Sequence, residues 1–223
     1  MTNNNSEQDR SPARGKAAIQ RNFWNPVYDR LAWFYDGVDW FTGNMTQRLR
    51  QPAISALPSP PARILEIGIG TGRLHAQLAA HYEMAGLDLA AGMVRRTQAR
   101  LASSELCSSL AVGSVYNIPW PDAHFDAVIS TFAFSAFADA ARALNEMIRV
   151  TKPGGRIIIV DAGEATNGNC VAHLLAQTWS AMGDYMRDEA PLMRARGLTV
   201  TRQDYGPFNS VHIVVGVRPP SNR

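Results

Sequence analysis

The sequence predicts a doubly wound α/β fold built around a mostly parallel sheet, and three observations predict it. Short apolar runs alternate with helical patterns between residues 63 and 160, the signature of successive βαβ units. The first run, Ile64-Leu65-Glu66-Ile67, passes directly into Gly68-Ile69-Gly70-Thr71-Gly72. The second closes on Gly86-Leu87-Asp88, which puts an acid twenty residues after Gly68. A glycine turn and a carboxylate thereby end neighbouring strands.

Each element follows in order. Residues 1–16 are polar and Asn/Ser/Arg-rich, too poor in apolar groups to bury, and read as a disordered tail. Residues 17–57 read as a helical cap, dense in aromatics such as Phe23, Trp24, Trp33, Phe34, Trp40 and Phe41. Pro58-Ser59-Pro60-Pro61 is a stiff linker into the first strand. Strands are expected over 63–67, 83–88, 109–113, 125–130 and 155–160, with helices over 73–80, 91–102 and 138–150. Segments 198–205 and 210–217 alternate β-branched and polar residues across Gly206-Pro207-Phe208-Asn209 and read as a hairpin. An insertion over 162–197 carries one helix near 169–183 and another from Asp188. Residues 17–223 therefore form one domain.

Composition narrows the function classes. The chain has 223 residues, of which 46% are hydrophobic, enough for a sizeable single core. Its net charge is only +3. The basic residues are scattered, with no stripe of Lys/Arg interleaved with aromatics, so nucleic acid is not an expected partner. Cys107 and Cys170 lie far apart, with no paired-cysteine or clustered-histidine spacing, which leaves no metal signature and suits a reducing cytoplasm. No apolar run reaches membrane-span length. Residues 1–16 lack the apolar segment of a secretory signal.

The glycine turn and Asp88 point to a ligand. Glycine lets the backbone approach a ligand closely and take positive φ. An acid at the end of the next strand can accept the hydroxyls of a ribose. The spacing suits a dinucleotide or S-adenosylmethionine (SAM). The dinucleotide fingerprint G-x-G-x-x-G wants its third glycine where Arg73 stands.

The pattern Glu66-x-Gly68-x-Gly70-x-Gly72 resembles motif I of the class I SAM-dependent methyltransferases. Further motifs agree in order. Asp88-Leu89-Ala90-Ala91-Gly92-Met93 resembles the D-x-S-x-x-M segment of that family. Gly113-Ser114-Val115, Ile118-Pro119-Trp120-Pro121-Asp122 and Phe125-Asp126-Ala127-Val128 resemble its G-D-A…L-P-F-x-D…F-D-x-V run. Lys152-Pro153-Gly154-Gly155 resembles the turn before the fifth strand. Tyr28-Asp29-Arg30-Leu31-Ala32 and Tyr35-Asp36 resemble the N-terminal motif of the ubiquinone/menaquinone-type small-molecule branch. The resemblance spans about residues 25–217 and implies a seven-stranded Rossmann-like sheet whose last strand is antiparallel.

It also implies roles. Gly68 and Gly70 would line the methionine part of SAM, Asp88 the ribose, and Met93 with Val115 the adenine, with Gly72 and Leu89 also in the cofactor-binding set. Ser114 stands where the family usually has an Asp, so the Val115 backbone would hold the adenine instead. Thr131 and Phe132 fall on the same crevice. Glu66 would orient the glycine loop or reach the SAM amine; a buried structural acid is the competing reading. Tyr28 and Tyr35 are the first candidates to face the sulfonium, which aromatic faces attract. Phe134 and His173 complete the candidate catalytic set.

No strong general base follows the fourth strand, where Ser130-Thr131-Phe132-Ala133-Phe134-Ser135 carries only hydroxyls and aromatics. Methyl transfer to a nucleophilic acceptor can run on positioning alone, since proximity supplies about 7–11 kcal/mol. The expected activity is thus methyl transfer to a small, fairly apolar molecule. The resemblance also admits a reaction on SAM alone, cyclisation to azetidine-2-carboxylate with release of methylthioadenosine. An oxidoreductase and a non-catalytic SAM-binding module are more distant alternatives.

Overall fold

The computed structural model describes residues 45–163, 168–181 and 184–221. Its helices are α1 (Met45–Ser55), α2 (Arg73–Ala79), α3 (Ala91–Ser103), α4 (Ala140–Val150), α5 (Cys170–Ala181) and α6 (Glu189–Arg194). Its strands are β1 (Arg63–Ile67), β2 (Glu83–Asp88), β3 (Ser109–Val112), β4 (Phe125–Thr131), β5 (Thr151–Ala162), β6 (Thr199–Tyr205) and β7 (Val211–Val217). They form one seven-stranded sheet in the order β3-β2-β1-β4-β5-β7-β6. β1 to β5 pair in parallel, while β7 runs antiparallel between β5 and β6.

Strand sequence explains strand burial. β1 and β4 are covered on both faces, so their runs are almost continuously apolar rather than alternating. Leu65, Ile67, Val128, Ile157, Ile159 and Val214 belong to the core on one face. Ile64, Ala127, Ile129, Ile158, Val160 and Ile213 belong to the core on the other. Each of the Leu, Ile and Val side chains among these, when fully buried, contributes about 1.5–3 kcal/mol.

The helices close the two cores. In α4, Ala140, Ala143, Leu144, Met147 and Val150 recur at helical spacing and are all buried. Asp139 caps its start by accepting the Arg142 amide at 3.0 Å. The helix ends where Thr151 turns extended and its hydroxyl bonds back to the Met147 carbonyl at 2.6 Å. α1 buries Ala53, and Leu57 just beyond it is buried in the same core. This described part of the expected cap therefore covers a sheet face.

Boundaries differ from the sequence reading in one informative place. β5 begins at Thr151 instead of residue 155, because Thr151 already pairs with Phe125 before the register shifts at Ala127 and Arg156. Gly154 and Gly155 lie inside that irregularity, exchanging backbone hydrogen bonds of 2.9 Å with Arg218. The tail and the aromatic stretch before Met45 lie outside the described residues, as do 164–167 of the insertion.

Candidate functional site

The strand order reverses direction between β1 and β4, and at such a switch point the carboxyl ends of the strands open a crevice. Gly68 to Gly72 leave β1 there. Gly70 and Gly72 adopt φ of +54° and +77°, which side chains rarely tolerate. The two differ in surroundings. A Cβ on Gly72 would stand 2.5 Å from the Thr97 hydroxyl and 2.9 Å from its Cα, so α3 packs directly on that residue. A Cβ on Gly70 would meet nothing within 4 Å. Thr97 and Arg100 of α3 fix the turn from behind, donating to the Gly70 and Thr71 carbonyls at 3.1 and 2.9 Å.

Asp88 ends β2 beside this turn. One carboxylate oxygen accepts the Gly70 amide and the other accepts the Ala90 amide, each at 2.9 Å. Burial pushes its pKa above the ordinary carboxylate value, against the pull of those two amides. Each oxygen keeps a further lone pair for a hydroxyl donor. Leu89, next in the chain, is 59% exposed. Met93 on α3 and Val115 after β3 are both buried. The Ser114 hydroxyl accepts the Tyr116 amide at 3.2 Å, so it serves its own turn.

Glu66 lies on the α2 face of β1 and is 2% exposed. Its Oε2 is 3.0 Å from Nδ1 of His75, whose Nε2 is 2.7 Å from the Ser108 hydroxyl. Ser108 in turn donates to the Met84 carbonyl at 2.8 Å. The partner of Glu66 is thus a buried histidine on α2. His75 had no visible function in sequence, and only the fold brings it to Glu66.

Across the switch point from Asp88, Thr131 ends β4 with a buried hydroxyl that has no partner among the described residues. Phe132 follows in the left-handed region at φ +54°, a conformation that costs about 1–3 kcal/mol in a non-glycine residue. Its amide donates to Val160 at 2.7 Å, which fixes the bend. Strain of this kind clusters at ligand sites.

Phe134 lies away from the surface. It is fully buried in the core, edge-on to Phe137 with ring centroids 5.3 Å apart. His173 sits on α5, exposed, with Nε2 2.9 Å from the Gln177 amide nitrogen. Tyr28 and Tyr35 lie outside the described residues.

Asp161 is a residue that sequence reasoning passed over. It closes β5 as Asp88 closes β2, an acid ending the run Ile157-Ile158-Ile159-Val160. That parallel was a readable signal. It is 2% exposed and accepts the Ser135 amide at 2.7 Å.

The site thus combines an open backbone cradle at Gly70, a carboxylate with spare lone pairs beside it and an orphaned buried hydroxyl across the switch point. This donor set fits an adenosine-bearing ligand. Among the described residues, no group of three or more His, Cys, Asp or Glu could hold a metal ion, and no helix is long and apolar enough to cross a membrane.

Comparison with known proteins points the same way. Residues 65–159 match a family model described as a methyltransferase domain. A demethylmenaquinone methyltransferase of Deinococcus radiodurans is 34% identical over 122 residues, covering 53% of this chain and 51% of that protein. A ubiquinone/menaquinone biosynthesis C-methyltransferase UbiE of Syntrophotalea carbinolica is 29% identical over 203 residues, covering 83% and 86%. The chain spans about half to two thirds of the length of the first curated relatives it matches. A similar fold occurs in a chain of the complex between the Haloferax volcanii Trm112 methyltransferase activator and a methyltransferase. Its TM-score is 0.71 at 22% identity, covering 86% of this chain and 97% of that one.

Proposed function

We propose that the chain is a class I SAM-dependent methyltransferase, with S-adenosylmethionine as its cofactor, and that it methylates a small, fairly apolar molecule; the match of residues 65–159 to a methyltransferase domain supports this reading. The observation that carries this reading is the join between Gly70 and Asp88, a cradle open to a ligand and tied to an acid. Asp88 would hold the ribose hydroxyls, Gly68 and Gly70 the methionine part, and Met93 and Val115 the adenine. Bound SAM supplies a sulfonium methyl group as the electrophile.

What the protein contributes is position and exclusion of water. Thr97 and Arg100 keep the glycine turn rigid behind the ligand. Phe132 and the loop beyond it would face the acceptor. Tyr28 and Tyr35 would close over the sulfonium, where each favourable aromatic contact contributes about 0.5–2 kcal/mol. Alignment of nucleophile and methyl carbon then supplies most of the rate.

The names of the relatives support a quinone-related acceptor, and a cytoplasmic place of action suits it. They also support methyl transfer over cyclisation of SAM. The experiment is incubation with SAM, with and without a short-chain demethylmenaquinone, and identification of every product. S-adenosylhomocysteine together with methylated quinone is expected. Methylthioadenosine from SAM alone would replace this reading with the cyclase.

A further inference from the structure

We infer that Asp161 is a positioning residue for the acceptor side of the crevice, holding the loop after β4 in place through a buried cluster with Glu189 and His212. The inference rests on the methyl-transfer reading only for the name of that side. The geometry is a chain of contacts that runs from Asp161 to Phe137. Asp161 Oδ2 accepts the Ser135 amide at 2.7 Å, and its Oδ1 accepts the Ala162 amide at 2.8 Å. The Ser135 carbonyl accepts the Tyr185 amide at 2.7 Å. Arg187 then donates to the Phe137 carbonyl at 2.9 Å and the Tyr185 carbonyl at 3.2 Å. Two segments distant in sequence, 132–137 and 185–187, are thus tied to one carboxylate at the end of β5.

That carboxylate is not alone. His212 is its register partner on β7, and His212 Nε2 lies 2.6 Å from Oε2 of Glu189 at the start of α6. All three residues are at most 2% exposed. The titratable and charged groups facing Asp161 are therefore Glu189 from α6, His212 from β7 and Arg187 from the segment before α6. The cluster has no slack, because a Cβ on Gly163 would stand 2.7 Å from the His212 ring.

A buried polar cluster of this kind is destabilising unless its members are fully paired, and for packing alone an apolar trio would serve. What the acids add is a strong acceptor for loop amides. Burial and the neighbouring Glu189 push the Asp161 pKa up to about 7. The ionised carboxylate is the better acceptor, so the hold on Ser135 strengthens as pH rises through about 7.

The test uses the full chain. In wild type, the Ser135 amide resonance should titrate with a midpoint near pH 7 between about pH 5 and about pH 9. In Asp161→Asn, hydrogen exchange at Ser135 and Tyr185 should speed up by about tenfold or more, while SAM affinity stays within about twofold. With SAM and short-chain demethylmenaquinone, the same variant should raise the acceptor KM by about tenfold. Ser135 and Tyr185 amides that exchange in wild type as fast as exposed loop amides would overturn the inference, even if the variant did not fold. So would unchanged exchange in the variant. Altered exchange in a protein that never methylates the quinone would leave Asp161 as the anchor of this loop and count against the acceptor alone.

Discussion

The Gly70 amide donates to the Asp88 carboxylate at 2.9 Å, bridging the ends of β1 and β2. The turn that would cradle a methionine chain and the acid that would hold a ribose are therefore one unit. Either half displaced by an ångström takes the other with it. This explains why two short motifs about twenty residues apart carry so much of the inference.

The glycines of the turn should separate by readout. Gly70→Ala adds a Cβ into open space and costs about 1–2 kcal/mol for its left-handed backbone, but it should abolish SAM binding. Gly72→Ala adds the same backbone strain and a clash with Thr97, so about 2–4 kcal/mol of stability should go. Urea unfolding and SAM titration of both variants check this. Equal stability losses would contradict the different surroundings of the two positions.

Glu66 has two readings, and its contact with His75 favours the structural one. Removing one partner of a buried polar pair leaves the other unsatisfied, at about 1–3 kcal/mol. Glu66→Ala should therefore lose stability by that amount. By contrast, disrupting the exposed Arg63–Glu83 pair should leave stability almost unchanged, because solvent screens it. Denaturant midpoints give the comparison. Full stability with lost SAM affinity would return Glu66 to the ligand.

Arg149 holds the loop that follows Val115. Its guanidinium donates to the Ile118 and Trp120 carbonyls at 2.9 Å and to Glu146 at 2.8 Å. Glu146 in turn accepts the Ile118 amide at 2.9 Å. Arg149→Met should cost about 1–3 kcal/mol.

The same contact sets a pH dependence. The Arg149 hydrogen bond holds the Glu146 carboxyl below its ordinary value of 4.5. Its contribution is present above that value and is lost as pH falls through the lower folded value. Asp161 acts in the opposite sense: raised to about 7, it lowers stability progressively as pH rises from about 4 to about 7. Thermal melts taken from neutral pH down to below about 4 should show the acid-side loss flattened in Arg149→Met.

The central strands, the hairpin and the crevice at the switch point were legible because they rest on local periodicity and on glycine spacing. Asp88 was legible for the same reason: it sits a fixed distance from Gly68 on the next strand. Contacts made across the fold were not legible. His75 meets Glu66 only when α2 packs on β1, and His212 meets Asp161 only when β7 inserts beside β5. The burial of Phe134 was not legible either, since an aromatic after a strand looks the same in sequence whether it is exposed or in the core. The start of β5 was misplaced because Pro-Gly-Gly reads as a turn, while the edge pairing of Thr151 with Phe125 carries the strand through it.

The most direct test is calorimetric titration of SAM into wild type and Asp88→Ala. A charge-assisted bond to a ribose hydroxyl contributes about 1.5–3 kcal/mol, and loss of the Gly70 anchor adds to it. Wild type should bind SAM, and Asp88→Ala, folded by circular dichroism, should bind it about 100-fold more weakly or not at all. Equal affinity in the two proteins would contradict the account.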